Sequence, residues 1–206
     1  MKKTELIIIG YSGHSFGCIE VAIELGFKIS GYHDIVEKID NPYNLNYLGH
    51  ESNIESNNKP FIAIGDNSTR RKIYEKFKLI SLNLNTILVH PSALISKSSL
   101  IEKQTYISAG AIINPKVIIG LGCIINTGAV IEHDCSVGNF SHIAPGAVLA
   151  GNVSIGSECL IGANSVIKQG VKVGDNVIIG AGAVVLKDIN SNTTIVGNPA
   201  REINRI

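Results

Sequence analysis

From Ile95 to Val185 every sixth residue is Ile, Val or Leu, including Ile107, Ile119, Ile131, Val137, Ile143, Leu149 and Ile167. Two residues before each stands a small or β-branched side chain, from Ala93 and Ser99 through Cys123, Ala129 and Cys135 to Ala183. A period of this kind marks a stacked, repetitive architecture before any other feature is considered. Positions two apart on a strand share a face, so each step supplies a small and then a large inward side chain. The residue after the large aliphatic is often Gly or Asn, which suits a corner because both tolerate unusual dihedrals. Three strand-and-corner steps make one triangular coil of 18 residues. Stacked coils bury a continuous aliphatic column, with neighbours about 4.8 Å apart.

The residue between the small and large positions points outward. One side of the prism carries Leu94, Ile112, Val130, Val148, Val166 and Val184, and another carries Tyr106, Ile124, His142, Leu160 and Ile178. The third, with Leu100, Ile118, Ser136, Ser154 and Lys172, turns polar. Exposed apolar stripes mark interfaces, and two of them on one prism fit a homotrimer in which each copy touches two neighbours. The competing expectation is that the N-terminal segment or the C-terminal tail covers one stripe. Eighteen Lys and Arg against 17 Asp and Glu give a net charge of +1. That balance excludes a general nucleic-acid or membrane-surface binder, which needs a basic excess. The opening MKKTELIIIG is too short an apolar run for a signal-peptide core, and no stretch reaches membrane-spanning length, so a cytoplasmic protein is expected. Three of the four cysteines, Cys123, Cys135 and Cys159, share the small inward phase and read as buried apolar residues, as does Cys18.

Residues 1–90 lack the repeat. Strands are expected at Glu5–Gly10, Lys28–Asp34, Phe61–Gly65 and Thr86–Val89, with helical spacing over Cys18–Leu25 and a helix capped by Asn67 or Ser68. The alternation predicts a small parallel α/β domain of Rossmann-like type ahead of a β-helical domain over 91–206. The Gly-rich turn YSGHSFG, residues 11–17, follows the first strand, where free backbone N–H groups favour a phosphate. Gly10, Gly13 and Gly17 do not match G-x-G-x-x-G. Asp34, ending the second strand, sits where a ribose-binding acid stands, and reads equally as a turn carboxylate. His14 reads equally as a loop residue. The Asn-rich stretch 40–58 is a long polar loop, either lid or surface.

In GAVIEHDCSVGNFSHIAPGAVLAG, residues 128–151, His133 falls at a corner facing out, and Gly151 lies one coil of 18 residues further on. A base beside a glycine amide with no side chain in the way is what acyl transfer requires. The imidazole takes the nucleophile's proton, and the N–H holds the carbonyl oxygen as it becomes negative. Asp134 can orient the ring; the pattern equally permits a solvated corner. His142 lies a whole side of the prism away. If both histidines serve one site, they meet across a subunit boundary; otherwise His142 only packs in an interface.

The segments IIIGYSGHS, AIGDNSTRRK, INTGAVIEHDC, FSHIAPGAVLAG and VGNPAR together resemble the sugar O- and N-acetyltransferases built on a left-handed parallel β-helix. The chain is most similar to those that acetylate nucleotide-linked 4-amino-4,6-dideoxy sugars for surface glycans such as lipopolysaccharide. The resemblance implies the left hand, which departs from the usual rule for parallel crossovers. It implies His133 as general base with Asp134 its partner, and Asn126 near the reacting sugar. It further implies His142, Gly151, Ala163 and Ala181 at acetyl-CoA, and Ser12, Gly13, His14, Asp34, Gly65 and Asp66 at the nucleotide sugar. No metal is implied. Three rivals remain: O-acetylation of a sugar of sialic acid type, a zinc-dependent γ-type carbonic anhydrase, and a non-catalytic structural subunit.

Overall fold

The computed structural model describes residues 4–55 and 58–203. The two opening lysines and part of the polar loop, Ser56 and Asn57, lie outside them. From Leu88 onward the chain winds into a three-sided prism, a left-handed parallel β-helix. Its sides are parallel sheets of eight, six and five strands, the largest closed by one antiparallel strand. Register is the sequence period made visible. Ile124 pairs with His142, Val130 with Val148 and Ser136 with Ser154, each 18 residues apart. The inward aliphatics Ile107, Ile119, Ile125, Ile131, Ile143, Leu149, Ile161 and Ile167 are all fully buried, with Cys123, Ala129, Cys135 and Cys159 beside them.

The corners differ in detail from the expected ones. From Gln104 to Gly182 every sixth residue has positive φ, and this residue lies three positions after the large aliphatic, not directly after it. Asp134, Asn152, Asn164 and Asn176 occupy it with side chains that tolerate the left-handed region. The glycine directly after the aliphatic is there for closeness: a Cβ on Gly138 would lie 2.5 Å from the carbonyl carbon of Gly156 in the next coil.

The N-terminal part is a three-stranded parallel sheet in the order β2 (Lys28–His33), β1 (Glu5–Ile9), β3 (Pro60–Ile62). Helix α1 spans Gly13–Glu24 and α2 spans Asn67–Leu79. Asp66, rather than Asn67 or Ser68, caps α2: its carboxylate accepts from Thr69 N at 2.8 Å. The strand expected over Thr86–Val89 is Leu88–Val89 (β4), and it pairs with Tyr106–Ile107 as the prism's first rung, not with the α/β sheet. The polar loop carries a short 3-10 turn, Glu51–Asn53, and Tyr47 bridges to Tyr32 of β2.

The α/β part settles one of the two apolar stripes. Tyr106 and Ile124 are buried in a cluster with Leu6, Ile8, Tyr11, Cys18 and Ile19. The chain therefore covers the upper part of that side itself, and the reading of two free apolar sides is corrected. Burying such side chains contributes roughly 1.5–3 kcal/mol each, which favours the internal partner over open stripes. The side bearing Val130, Val148, Val166 and Val184 stays uncovered and partly exposed. Arg70 of α2, 1 % exposed, welds the two parts. It donates to the carbonyls of Ile64, Gly65, Gly122 and Phe140 at 2.7–3.0 Å, and to Asn67 Oδ1. Among the described residues no helix is long and apolar enough to cross a membrane.

Candidate active site

His133 stands at the corner between the six- and five-stranded sheets. Its Nδ1 lies 2.9 Å from Asp134 Oδ2, and Lys116, one coil earlier, places Nζ 3.7 Å from the other carboxylate oxygen. Neighbouring strand side chains diverge, but Asp134 sits in the left-handed region at φ +60°, which swings its carboxylate back to the ring. The hydrogen bond to His133, then the Lys116 charge, holds the Asp134 carboxyl below the usual carboxylate range. A carboxylate only accepts, so Nδ1 carries the proton and Nε2 keeps its lone pair.

That lone pair faces Gly151. A Cβ built there would lie 2.7 Å from both Nε2 and Cε1 of His133, so only glycine leaves the ring its place. Except where it is a proline, as at Pro115 and Pro145, the first turn residue of a corner has an N–H outside the ladder. At the corner between the five- and eight-stranded sheets three of these are capped: Leu121 N by Asn139 Oδ1, Ser157 N by Asp175 Oδ1, and Asp175 N by Ser191 Oγ, at 2.7–2.9 Å. Among the described residues Gly151, Ala163 and Ala181 have no such acceptor, a condition they share with Ala109, His133 and Gln169, and their amides remain open along two edges of the prism.

His142 lies on the eight-stranded sheet, a full side from His133. It lines a cleft of about 540 Å³ between α1 and the prism, together with Gly13, His14, Gly65, Tyr106, Ser108, Asn126 and Thr127. Asn126 Nδ2 is 3.0 Å from His142 Nε2. Burial, then the Arg70 charge, pushes the His142 pKa down to about 4. His14, pushed down to about 3 by burial, then by Arg70 and His142, is likewise uncharged at neutral pH. A second cleft of about 630 Å³ at the carboxyl ends of β1, β2 and β3 gathers Ser12, His14, Asp34, Gly65 and Asp66. In it the Asp34 carboxylate accepts from Tyr11 N at 2.8 Å and Ile35 N at 2.7 Å, and meets Lys38 Nζ at 3.2 Å. Asp34 thus shapes the loop whatever else it holds, and Asp66 is spent on its helix.

The structure brings the expected residues into three groups: His133, Asp134 and Gly151; Asn126 and His142 with Gly13 and His14; and Ser12, Asp34, Gly65 and Asp66. It brings His133 and His142 together in no cleft of the single chain. Sequence reasoning missed Arg70, Tyr106, Ser108 and Thr127. The last three were within reach, since Ser108 and Asn126 are 18 apart, as are His133 and Gly151. Arg70 left no trace, because nothing in DNSTRRK distinguishes a buried arginine from the exposed Arg71 beside it. Among the described residues no group of three or more His, Cys, Asp or Glu is placed to hold a metal ion.

Two family models match the chain: the PglD N-terminal domain over residues 5–77 and the hexapeptide repeat of succinyl-transferase over 152–187. The acetyltransferase domain of PglB from Neisseria gonorrhoeae, solved in complex with acetyl coenzyme A, is 32% identical over 98% of this chain and 100% of that one, with a TM-score of 0.91. The chain belongs to this acetyltransferase family. PerB from Caulobacter crescentus, in complex with CoA and GDP-perosamine, is 31% identical over 97% of both chains, with a TM-score of 0.90. WeeI from Acinetobacter baumannii, 22% identical with a TM-score of 0.84, shares the fold. As a member of the family the chain is an acetyltransferase, not a carbonic anhydrase or a non-catalytic subunit.

Proposed function

We propose that the protein transfers the acetyl group of acetyl-CoA to the 4-amino group of a nucleotide-linked 4-amino-4,6-dideoxy sugar. The observation that carries this reading is the His133 ring, held at Nδ1 by Asp134, with its free Nε2 against the open corner of Gly151. The nucleotide lies in the 630 Å³ cleft, with its diphosphate toward Ser12, Gly13 and His14 at the start of α1. Asp34, Gly65 and Asp66 line the same cleft, and Asn126 stands near the sugar. Acetyl-CoA runs between two copies, along the open amide of Gly151 on one and those of Ala163 and Ala181, on another edge, of its neighbour, and meets that neighbour's His142.

The chemistry then balances simply. The amine nitrogen attacks the thioester carbon, and His133 Nε2 accepts the ammonium proton, directly or through one water. The Gly151 N–H receives the developing oxyanion. Collapse expels the thiolate of CoA, which takes the proton from the imidazolium. The general base contributes roughly 10²–10⁴-fold and the oxyanion donor roughly 10²–10³-fold, and alignment of amine and thioester supplies much of the rest.

His133 and His142 lie on different sides of one chain, so the site is completed by a second copy. The uncovered apolar side with Val130, Val148 and Val166 ends at the corner that bears His133, and a homotrimer formed through it sets a neighbour's His142 toward that corner. Acetyl-CoA and nucleotide sugars are cytoplasmic metabolites, which places the reaction there, in a pathway that builds a surface glycan.

A turnover panel tests the reading: UDP- and GDP-linked 4-amino-4,6-dideoxy sugars and free sialic acid, each with acetyl-CoA, followed by release of CoA thiol. Turnover of one nucleotide-linked amine, lost in His133→Ala, is the expected result. Turnover of sialic acid alone replaces N-acetylation with O-acetylation.

A further inference from the structure

The cleft between α1 and the prism contains a run of polar contacts that the acetyl-transfer chemistry leaves unused. The Tyr106 hydroxyl donates to Ser108 Oγ at 3.2 Å, and Ser108 Oγ is 3.0 Å from Thr127 Oγ1. Thr127 Oγ1 donates to Asn126 Oδ1 at 3.3 Å, and Asn126 Nδ2 is 3.0 Å from His142 Nε2.

Chemistry sets the direction of every link. The backbone N–H of Thr127 lies 2.8 Å from Asn126 Oδ1. An amide N–H can only donate, so the atom facing it is the oxygen, and the NH₂ faces His142. That NH₂ has no lone pair to offer, so His142 Nε2 supplies one and the ring proton sits on Nδ1. The Thr127 hydroxyl hydrogen is committed to Asn126, so Ser108 donates to Thr127, as Tyr106 donates to Ser108. All the hydroxyls point their hydrogens toward His142, and bonds aligned this way strengthen one another. The head of the run is fixed. Tyr106 is 5 % exposed, its ring meets His14 edge-on at 5.3 Å, and Gly17 of α1 makes room for its hydroxyl.

We propose that Thr127, backed by Ser108 and Tyr106, is a positioning residue that locks the Asn126 amide and so holds His142 as a neutral imidazole protonated on Nδ1, the same tautomer as His133 but with the Nε2 lone pair occupied by Asn126 instead of free. The low His142 pKa, set first by burial and then by Arg70, agrees with an uncharged ring. The use of this arrangement rests on the acetyl-transfer reading: His133 takes the proton through Nε2, while His142 has a hydrogen bond to give and no basic nitrogen free.

Imidazole ¹⁵N–¹H correlation spectra of ¹⁵N-histidine-labelled protein test this without any substrate, with His142 assigned by the signals lost in His142→Asn. The expected spectrum shows a protonated Nδ1 and a lone-pair Nε2 at neutral pH. Thr127→Val should move a measurable part of the population to the other tautomer or to exchange broadening, and Thr127→Ser should restore it. Asn126→Asp, whose carboxylate only accepts, should draw the proton to Nε2. In turnover, Thr127→Val should lower kcat about tenfold with KM little changed, and Thr127→Ser should recover it. A wild-type His142 protonated on Nε2, or a Thr127→Val spectrum identical to wild type, overturns the proposal. Absence of turnover with every sugar sinks the acetyl-transfer reading and leaves the spectra to decide the tautomer.

Discussion

At the scale of single residues, replacement of His133 by Ala should lower kcat/KM for acetyl transfer by roughly 10²–10⁴-fold, with the melting temperature nearly unchanged because the ring is largely exposed. Gly151→Ala tests the same contact from the other side. A methyl within 2.7 Å of the ring must push the imidazole off its corner, and a shift of about 1 Å at a reacting group costs on the order of 100-fold. His14 and His142 make a different prediction. Their folded pKa values, about 3 and about 4, lie below the ordinary 6.5, so below pH 6.5 the unfolded chain binds protons that the folded one refuses. Stability is therefore full above pH 6.5 and falls as pH drops from there toward 4 and then 3, by up to about 1.4 kcal/mol per pH unit for each histidine. Thermal melts across pH 7 to 4 should show this slope, and His142→Asn should about halve it between 6.5 and 4, leaving the share of His14. Much of this scale was legible in the chain: the 18-residue step from His133 to Gly151 needs no coordinates. The cap of α2 was not, since DNS offers three capping residues in a row and only backbone geometry picks Asp66.

At the scale of elements, the joint between α2 and the prism is the feature to perturb. Arg70 satisfies four carbonyls and, among the described residues, forms no ion pair with a carboxylate, and Lys cannot fork to reach those carbonyls. Arg70→Lys should therefore lower stability by about 2–4 kcal/mol in urea unfolding, and raise KM for the nucleotide sugar as the Gly65 loop loosens. Phe140 belongs to the same joint. It holds a left-handed backbone at φ +57° that its bulk disfavours, and it is kept there by packing on Tyr74 at 5.6 Å between ring centres. The two-residue strands were readable because sixteen repeats of one pattern reinforce each other; no single one of them carries a strand signal. The docking of α1 on Tyr106 and Ile124 was not readable. An apolar stripe looks the same whether its cover comes from the same chain or another.

At the scale of the whole molecule, the separation of His133 from His142 predicts complementation. His133→Ala and His142→Asn should each be inactive alone. Unfolded together in equal amounts and refolded, they should regain about a quarter of wild-type activity, because about a quarter of the boundaries pair an intact His133 with a neighbour's intact His142. Activity that stays at zero would assign both histidines to one copy. Sedimentation of the wild type checks the three-fold state behind the arithmetic, and Val148→Lys on the uncovered side should yield single copies without turnover.

The left-handed residue at every sixth position also limits how such a chain can change length. A one-residue deletion inside the prism would turn every later aliphatic toward water and every later outward residue into the column, whereas loss of a complete lap would leave the winding intact. Growth or shortening is thus confined to whole laps, and only to those outside the pair that joins His133 to Gly151, since removing that pair's connection would seat Gln169 where the bare amide now stands.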